Sequence, residues 1–374
     1  MTAPTARPGW TARAQLPGFP WDRLAPYGET ARRHPGGVVD LSVGTPVDPT
    51  PAVVADALAA AADAPGYPLT IGTPALRAAL VAWSRRRLGA DVDARHVVPS
   101  IGSKELVALL PSLLGVAPGS RVLLPRLAYP TYDVGARLAG CVPVETDDPT
   151  AEDPAGVALV WVNSPSNPTG AVLPPERLAA VVAWAREHDV LVVSDECYLE
   201  LGWEAEPVSV LSPEVSGGST ANVLALHSLS KRSNLAGYRA GFAVGDERAV
   251  AAVTEARKHI GLLVPAPVQA AMVAALGDDD HVAEQKARYA ARRARLRPAV
   301  EAAGLAVTSS EAGLYLWATR DEPCWDTVAA LAEVGVLAAP GAFYGAAGER
   351  HVRLALTATD ERVDTAVERL AALR

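Results

Sequence analysis

The residues best suited to chemistry lie in one stretch, His227-Ser228-Leu229-Ser230-Lys231, followed by Leu235-Ala236-Gly237-Tyr238-Arg239 and Gly241. One lysine stands among hydroxyls and small residues, with an arginine eight positions further on. A lysine that forms a Schiff base with an aldehyde cofactor needs such a setting. Serines and an arginine can hold a phosphate, and the arginine's field favours the neutral, nucleophilic amine. A second candidate is Asp195, which ends the apolar run Val190-Leu191-Val192-Val193-Ser194. A carboxylate there is costly unless it is paired. Against a protonated pyridinium it is paired, and it keeps that nitrogen charged so that the ring becomes an electron sink. Tyr198, three residues on, can reach a phenolic oxygen of the same ring.

Arg353 sits inside the apolar segment His351-Val352-Arg353-Leu354-Ala355-Leu356 and needs an anionic partner. A bidentate clamp on a substrate α-carboxylate and a structural ion pair are the two readings. In Asn163-Ser164-Pro165-Ser166-Asn167-Pro168-Thr169-Gly170 two prolines fix a turn and leave Asn167 presenting its amide. Gly102-Ser103-Lys104 opens a helix whose first backbone N–H groups could bind a phosphate. Tyr129, within Pro125–Tyr132, offers a flat ring either for stacking on a pyridine or for ordinary packing.

These residues must be positioned by a framework. From about residue 97 to 245, short apolar runs alternate with amphipathic segments. Strands are predicted at Val97–Ser100, Arg121–Pro125, Val157–Val162, Val190–Ser194, Val223–Ala225 and Ala240–Val244. Helices are predicted at Lys104–Leu114, Tyr132–Leu138, Pro175–His188 and Arg248–Lys258. Apolar runs without alternation suit strands covered on both faces, hence a mostly parallel sheet with helical crossovers. Ligands of such a sheet gather at the carboxyl ends of its strands, where each candidate above falls. Further on, a charged helix from about His281 to Ala303 and strands near Gly313–Ala318 and Val352–Leu356 predict a smaller α/β domain. Thr73-Pro74 opens another helix, running to Leu88.

The 374 residues exceed one ordinary core, so two domains are expected. Apolar residues make up 49% and charged residues 20%, as in a soluble globular enzyme. The net charge of −8 and the absence of basic clusters with interleaved aromatics argue against a nucleic-acid face. Arg292, Arg293, Arg295 and Arg297 read as a solvated helix face. The three cysteines, Cys141, Cys197 and Cys324, fit neither a disulfide framework nor a zinc site, and no metal is expected. Without an apolar segment of targeting or membrane-spanning length, no membrane association is expected, and the cytoplasm is the expected compartment.

Taken together, and in order along nearly the whole chain, these segments resemble the class I/II aminotransferases of fold type I, which use pyridoxal 5′-phosphate (PLP). The resemblance implies an α/β fold with a large domain built on a mostly parallel seven-stranded sheet and a smaller α/β domain. The expected division is an N-terminal arm over residues 1–25, a large PLP-binding domain over 46–260, and a small domain from 26–45 and 261–374. It further implies that Lys231 carries the cofactor and shuttles the substrate proton, and that Asp195 binds the pyridine nitrogen. Tyr198 and Asn167 would meet the ring oxygen and Tyr129 would stack on the ring. Ser103, Lys104, Ser228, Ser230 and Arg239 fall where the family binds phosphate. Tyr67, in Gly66-Tyr67-Pro68, matches a tyrosine reaching the phosphate of a neighbouring subunit, so a homodimer with shared active sites is implied. Arg353, with Gly44 and Asn167, would hold the substrate.

A narrower resemblance, to N-succinyldiaminopimelate aminotransferases of the actinobacterial kind, rests on three segments. They are Val39-Asp40-Leu41-Ser42-Val43-Gly44-Thr45-Pro46-Val47-Asp48-Pro49, Lys231–Arg239 and Ala312-Gly313-Leu314-Tyr315-Leu316-Trp317. It implies ping-pong exchange between glutamate/2-oxoglutarate and succinylated 2-amino-6-oxopimelate, on a route to lysine. Arg232, Arg126 or Lys258 could each meet a distal carboxylate. Other readings are an aminotransferase for aspartate, aromatic or other amino acids, a PLP-dependent C–S lyase, and a PLP-binding regulatory module.

Overall fold

The computed structural model describes residues 16–373; the first part of the expected arm, residues 1–15, lies outside the described residues. A central sheet takes seven strands, here β1 (Val97–Ile101), β2 (Arg121–Leu124), β3 (Val142–Glu145), β4 (Val157–Asn163), β5 (Leu191–Asp195), β6 (Val223–Ser228) and β7 (Ala240–Gly245). Their order is β1-β7-β6-β5-β4-β2-β3. All neighbours run parallel except β7, which is antiparallel to both β6 and β1. Pro99 and Pro143 sit in β1 and β3, the two edge strands, where a missing N–H donor interrupts no inner ladder.

Register explains why chemistry collects at one end of this sheet. Asn163 pairs with Asp195, and Asp195 with Leu226, so the carboxyl ends of β4, β5 and β6 lie level. Because β7 is reversed, its first residues oppose the ends of its neighbours: Gly241 faces Ser228, and Ala240 faces Ile101. Arg239, just before β7, is thereby delivered beside Gly102, just after β1.

Two apolar layers cover the sheet. Trp83, Val160, Val192 and Phe242 pack on one side, and Leu106, Leu110, Trp161 and Val193 on the other. The helix Pro74–Leu88 has its predicted cap, Thr73 Oγ1 accepting from the Leu76 N–H. The smaller unit is a four-stranded antiparallel sheet of β8 (Ala306–Ser309), β9 (Tyr315–Thr319), β10 (Ala339–Pro340) and β11 (Val352–Ala355), in the order β10-β11-β9-β8. Its core gathers Tyr289, Leu296, Leu316 and Val328. Val39–Asp40 pairs with Val336–Leu337, which returns the N-terminal segment to this unit.

Three expectations change. The boundary expected at residue 261 shifts, because Val264, Ala271, Met272 and Leu276, from the helix Ala266–Gly277 and the segment before it, pack into the core of the large sheet. The end of the expected arm is folded, with Pro20–Leu24 forming a 3₁₀ turn and Ala25–Arg32 a helix. Arg292 is not solvated: it is 1% exposed and holds Asp48 and Asp360 through its guanidinium. Burial of that charge is sustained because both faces of the fork find carboxylates.

Candidate active site

A cavity of about 470 Å³ opens where the two units meet at the carboxyl ends of the strands. It is lined by Gly44, Ser103, Lys104, Tyr129, Asn167, Asp195, Tyr198, Ser228, Ser230, Lys231, Arg239 and Arg353. The structure therefore brings every candidate site residue but one into a single space. Tyr67 is the exception, 97% exposed and away from this cavity.

Lys231 lies on the one-turn helix Leu229–Arg232 that follows β6, with Ser228 Oγ accepting from the Ser230 N–H to begin the turn. Its ammonium donates to the carbonyl oxygen of Gly44. Burial pushes the Lys231 amine below its usual value, and the charges of Arg353 and Arg239 push the same way against nearby Tyr315 and Cys197. A side chain on Gly44 would lie 2.9 Å from Cε1 of Tyr315, so the close passage of this carbonyl requires glycine.

Asp195 is held by two donors: the Tyr132 hydroxyl at 2.9 Å on Oδ2 and the Cys197 N–H at 3.2 Å on Oδ1. Burial nevertheless pushes its carboxyl upward, against those two bonds. A cation facing it in the cavity would relieve that cost. Behind it, Asn163 donates to the carbonyl oxygens of Asp195 and Pro165 and accepts from the Asn167 N–H at 2.7 Å. The turn after β4 and the end of β5 are thus locked together, which aims Asn167 into the cavity.

Arg353, on β11, is 3% exposed. It donates to Asn167 Oδ1 and to the Ser42 carbonyl oxygen, each at 2.7 Å, and stacks over the Tyr315 ring with its central carbon 3.9 Å from the centroid. Its Nε has no partner among the described residues. Among the described residues no carboxylate neutralises it, so the structural ion pair is not formed there and the charge calls for an anion. The Tyr198 and Tyr315 hydroxyls share a hydrogen bond of 2.9 Å beside it.

Near the start of the helix Gly102–Leu113, Arg239 lays its guanidinium against Gly102, and the serines 103, 228 and 230 face the same corner. Serine hydroxyls, a helix start and a guanidinium make a donor set suited to a phosphate dianion. With the buried amine, the buried carboxylate and the flat ring of Tyr129, the residues fit pyridoxal phosphate group by group.

Of the three cations considered for a distal carboxylate, two are engaged elsewhere. Arg232 is buried and pairs with Glu200 at 2.9 Å; Lys258 is exposed and pairs with Glu255 at 2.7 Å. Arg126 lines a second cavity adjoining the first. Sequence reasoning assigned no role to Tyr132, Tyr315 or Cys197, nor to Phe19 and Trp21, which also line the main cavity.

A part-buried lysine at the end of a parallel strand, a buried carboxylate on the neighbouring strand and a phosphate corner define a PLP-dependent enzyme of fold type I. Residues 36–370 match the family model for aminotransferase class I and II, and the chain belongs to that family. It is 60% identical over 358 residues to a probable aminotransferase of Mycobacterium tuberculosis, covering 96% of this chain and 86% of that one. It is 58% identical to the 4-dedimethylamino-4-oxo-anhydrotetracycline transaminase of Streptomyces rimosus, covering 95% of this chain and 99% of the relative. A solved structure of a probable N-succinyldiaminopimelate aminotransferase from Thermus thermophilus superposes with a TM-score of 0.85 at 30% identity, over 95% of this chain and 100% of that one. Among the described residues no helix is long and apolar enough to cross a membrane, and no cluster of His, Cys, Asp or Glu could hold a metal ion.

Proposed function

We propose that the protein moves the amino group of glutamate to N-succinyl-2-amino-6-oxopimelate, working as a cytoplasmic homodimer. The observation that carries the chemistry is that one cavity is lined both by the Lys231 side chain and by Arg353, a buried guanidinium with no carboxylate partner among the described residues. One is a base; the other is an anchor for the α-carboxylate of an amino acid. The acceptor rests on the segments Val39–Pro49, Lys231–Arg239 and Ala312–Trp317 and on the named activity of the Thermus thermophilus neighbour.

Bound pyridoxal phosphate supplies the electron sink that stabilises the carbanion at the substrate Cα. Asp195 holds the proton on the ring nitrogen, and Tyr132 and the Cys197 N–H hold Asp195 in place. Lys231 would act as the base that takes the proton from the substrate Cα, and its amine is oriented by the carbonyl oxygen of Gly44. Arg353 orients the substrate through its carboxylate, and Asn167 orients Arg353. Ser103, Ser228, Ser230 and Arg239 secure the phosphate, and Tyr129 covers the ring. Lys104 borders this corner, and Tyr67 reaches the partner's phosphate across the dimer.

A second acceptor is favoured by a separate observation, the 58% identity to the 4-dedimethylamino-4-oxo-anhydrotetracycline transaminase over 99% of its length. Here the acceptor would be a ring ketone. Single-turnover titration separates the two readings. The holoenzyme is converted with glutamate, then offered N-succinyl-2-amino-6-oxopimelate or the ring ketone. Return of the visible band with the succinylated acid alone supports the first reading; return with the ring ketone alone overturns it.

A further inference from the structure

A second cavity, of about 490 Å³, adjoins the first and shares Phe19, Trp21, Lys104 and Tyr129 with it. Each cavity falls within the range of about 300–1,000 Å³ usual for ligand sites. The chemistry described above uses Lys104 and Tyr129 at the shared wall and no other residue of the second cavity. Resting on the second reading above, that of a ring-ketone acceptor, we propose that the second cavity holds the non-reacting body of the amino acceptor. We further propose that this body is flat and largely apolar.

The walls carry the argument. Trp21 packs against Phe343 and Tyr344 with ring centroids 5.1 and 6.3 Å apart. Lys104 Nζ stands 5.7 Å from the centroids of both Phe19 and Tyr129, so a cation bridges two rings at the shared wall. Rings from three separate segments thus face one space, which suits a planar guest better than a hydrated chain. Arg126 is the further cation in the lining, whereas Asp133 is spent on Arg137 at 2.8 Å.

Ala108, one turn after Lys104, and Val134, on the facing helix Thr131–Leu138, line only the second cavity. Ala108→Phe and Val134→Phe fill it from two sides without touching the machinery. The probes are pyruvate, indole-3-pyruvate and N-succinyl-2-amino-6-oxopimelate, each returning the glutamate-converted holoenzyme. Both variants are expected to keep the glutamate step and the pyruvate return within about twofold. They should lower kcat/KM for indole-3-pyruvate by about tenfold or more, because overfilling of this size costs on the order of 1–3 kcal/mol. Wild-type indifference to indole-3-pyruvate, or filled variants that handle it as wild type does, would overturn the proposal. Sensitivity of the succinylated acid alone would overturn the planar class in favour of a chain. If deleting residues 1–15 is needed before indole-3-pyruvate reacts, the occupant is the chain's own leader and the proposal falls. Failure of glutamate to convert the holoenzyme would instead sink the aminotransferase reading, a separate outcome.

Discussion

Replacing Gly102 by alanine tests whether Arg239 works as a phosphate ligand. Gly102 has φ +70°, and a Cβ there would lie 2.8 Å from the central carbon of the Arg239 guanidinium. Two costs arise. An alanine held in the left-handed region is destabilised by about 1–2 kcal/mol. The cheaper way to relieve the contact is to swing Arg239 aside, because its only described anchor is the bond from Nη1 to the Ala236 carbonyl oxygen at 2.8 Å. A displaced guanidinium forfeits a charge-assisted bond to the phosphate, about 1.5–3 kcal/mol, and cofactor affinity should fall roughly ten- to a hundredfold. Equilibrium titration of apoprotein with pyridoxal phosphate, followed by the visible band, reads this directly. Gly277→Ala is the control: its Cβ meets open space and its φ is ordinary. If Gly102→Ala binds the cofactor as tightly as wild type while its melting temperature drops, the strain is real and the role of Arg239 is refuted.

Arg353→Gln should leave cofactor absorption intact and lower kcat/KM for glutamate by about a hundredfold, the loss of a paired charge-assisted clamp; an unchanged kcat/KM would move the carboxylate site elsewhere. Glu196 gives a pH prediction: burial pushes its carboxyl up from 4.5 to about 7. The folded state therefore binds the extra proton, so this contribution is complete below about pH 4.5 and is lost as pH rises through about 7, amounting to about 3 kcal/mol. Glu196→Gln keeps an acceptor for the Val210 N–H, now bonded at 2.8 Å, and abolishes the titration. Denaturant unfolding from about pH 5 to about pH 8 should thus show the variant gaining on wild type as pH rises. Buried His227, pushed down to about 3, lies 3.6 Å from Glu196, so the comparison is read above about pH 5, where His227 is neutral in the folded state.

Much of the site was legible because catalysis here depends on strand ends. Lys231, Asp195, Asn167 and Arg353 each follow or interrupt an apolar run, and a charge in such a place announces a partner. The inner strands were legible for the same reason. Strand β3 escaped notice because Val142–Glu145 is short, half-exposed and contains a proline. The helix Ala266–Gly277 is apolar on all sides, so its sequence does not reveal which of two cores takes it. Arg292 looked solvated because its partners, Asp48 and Asp360, are far off in the chain. Phe19 and Trp21 were hidden in a proline- and glycine-rich segment whose order comes from tertiary packing against Phe343 and Tyr344. Tyr132 and Tyr315 act through contacts with Asp195 and Arg353, and such partnerships have no signature in local spacing.

The central claim is that Lys231 is the group that both holds the cofactor and moves the substrate proton. Wild type and Lys231→Ala, each saturated with pyridoxal phosphate, are titrated with glutamate while the visible spectrum is followed. Wild type should show a lysine-bound band that bleaches with glutamate and returns with a 2-oxo acid. Lys231→Ala should retain cofactor, lack that band and fail to complete the cycle. Full transamination by Lys231→Ala, or no band in wild type, would contradict the account.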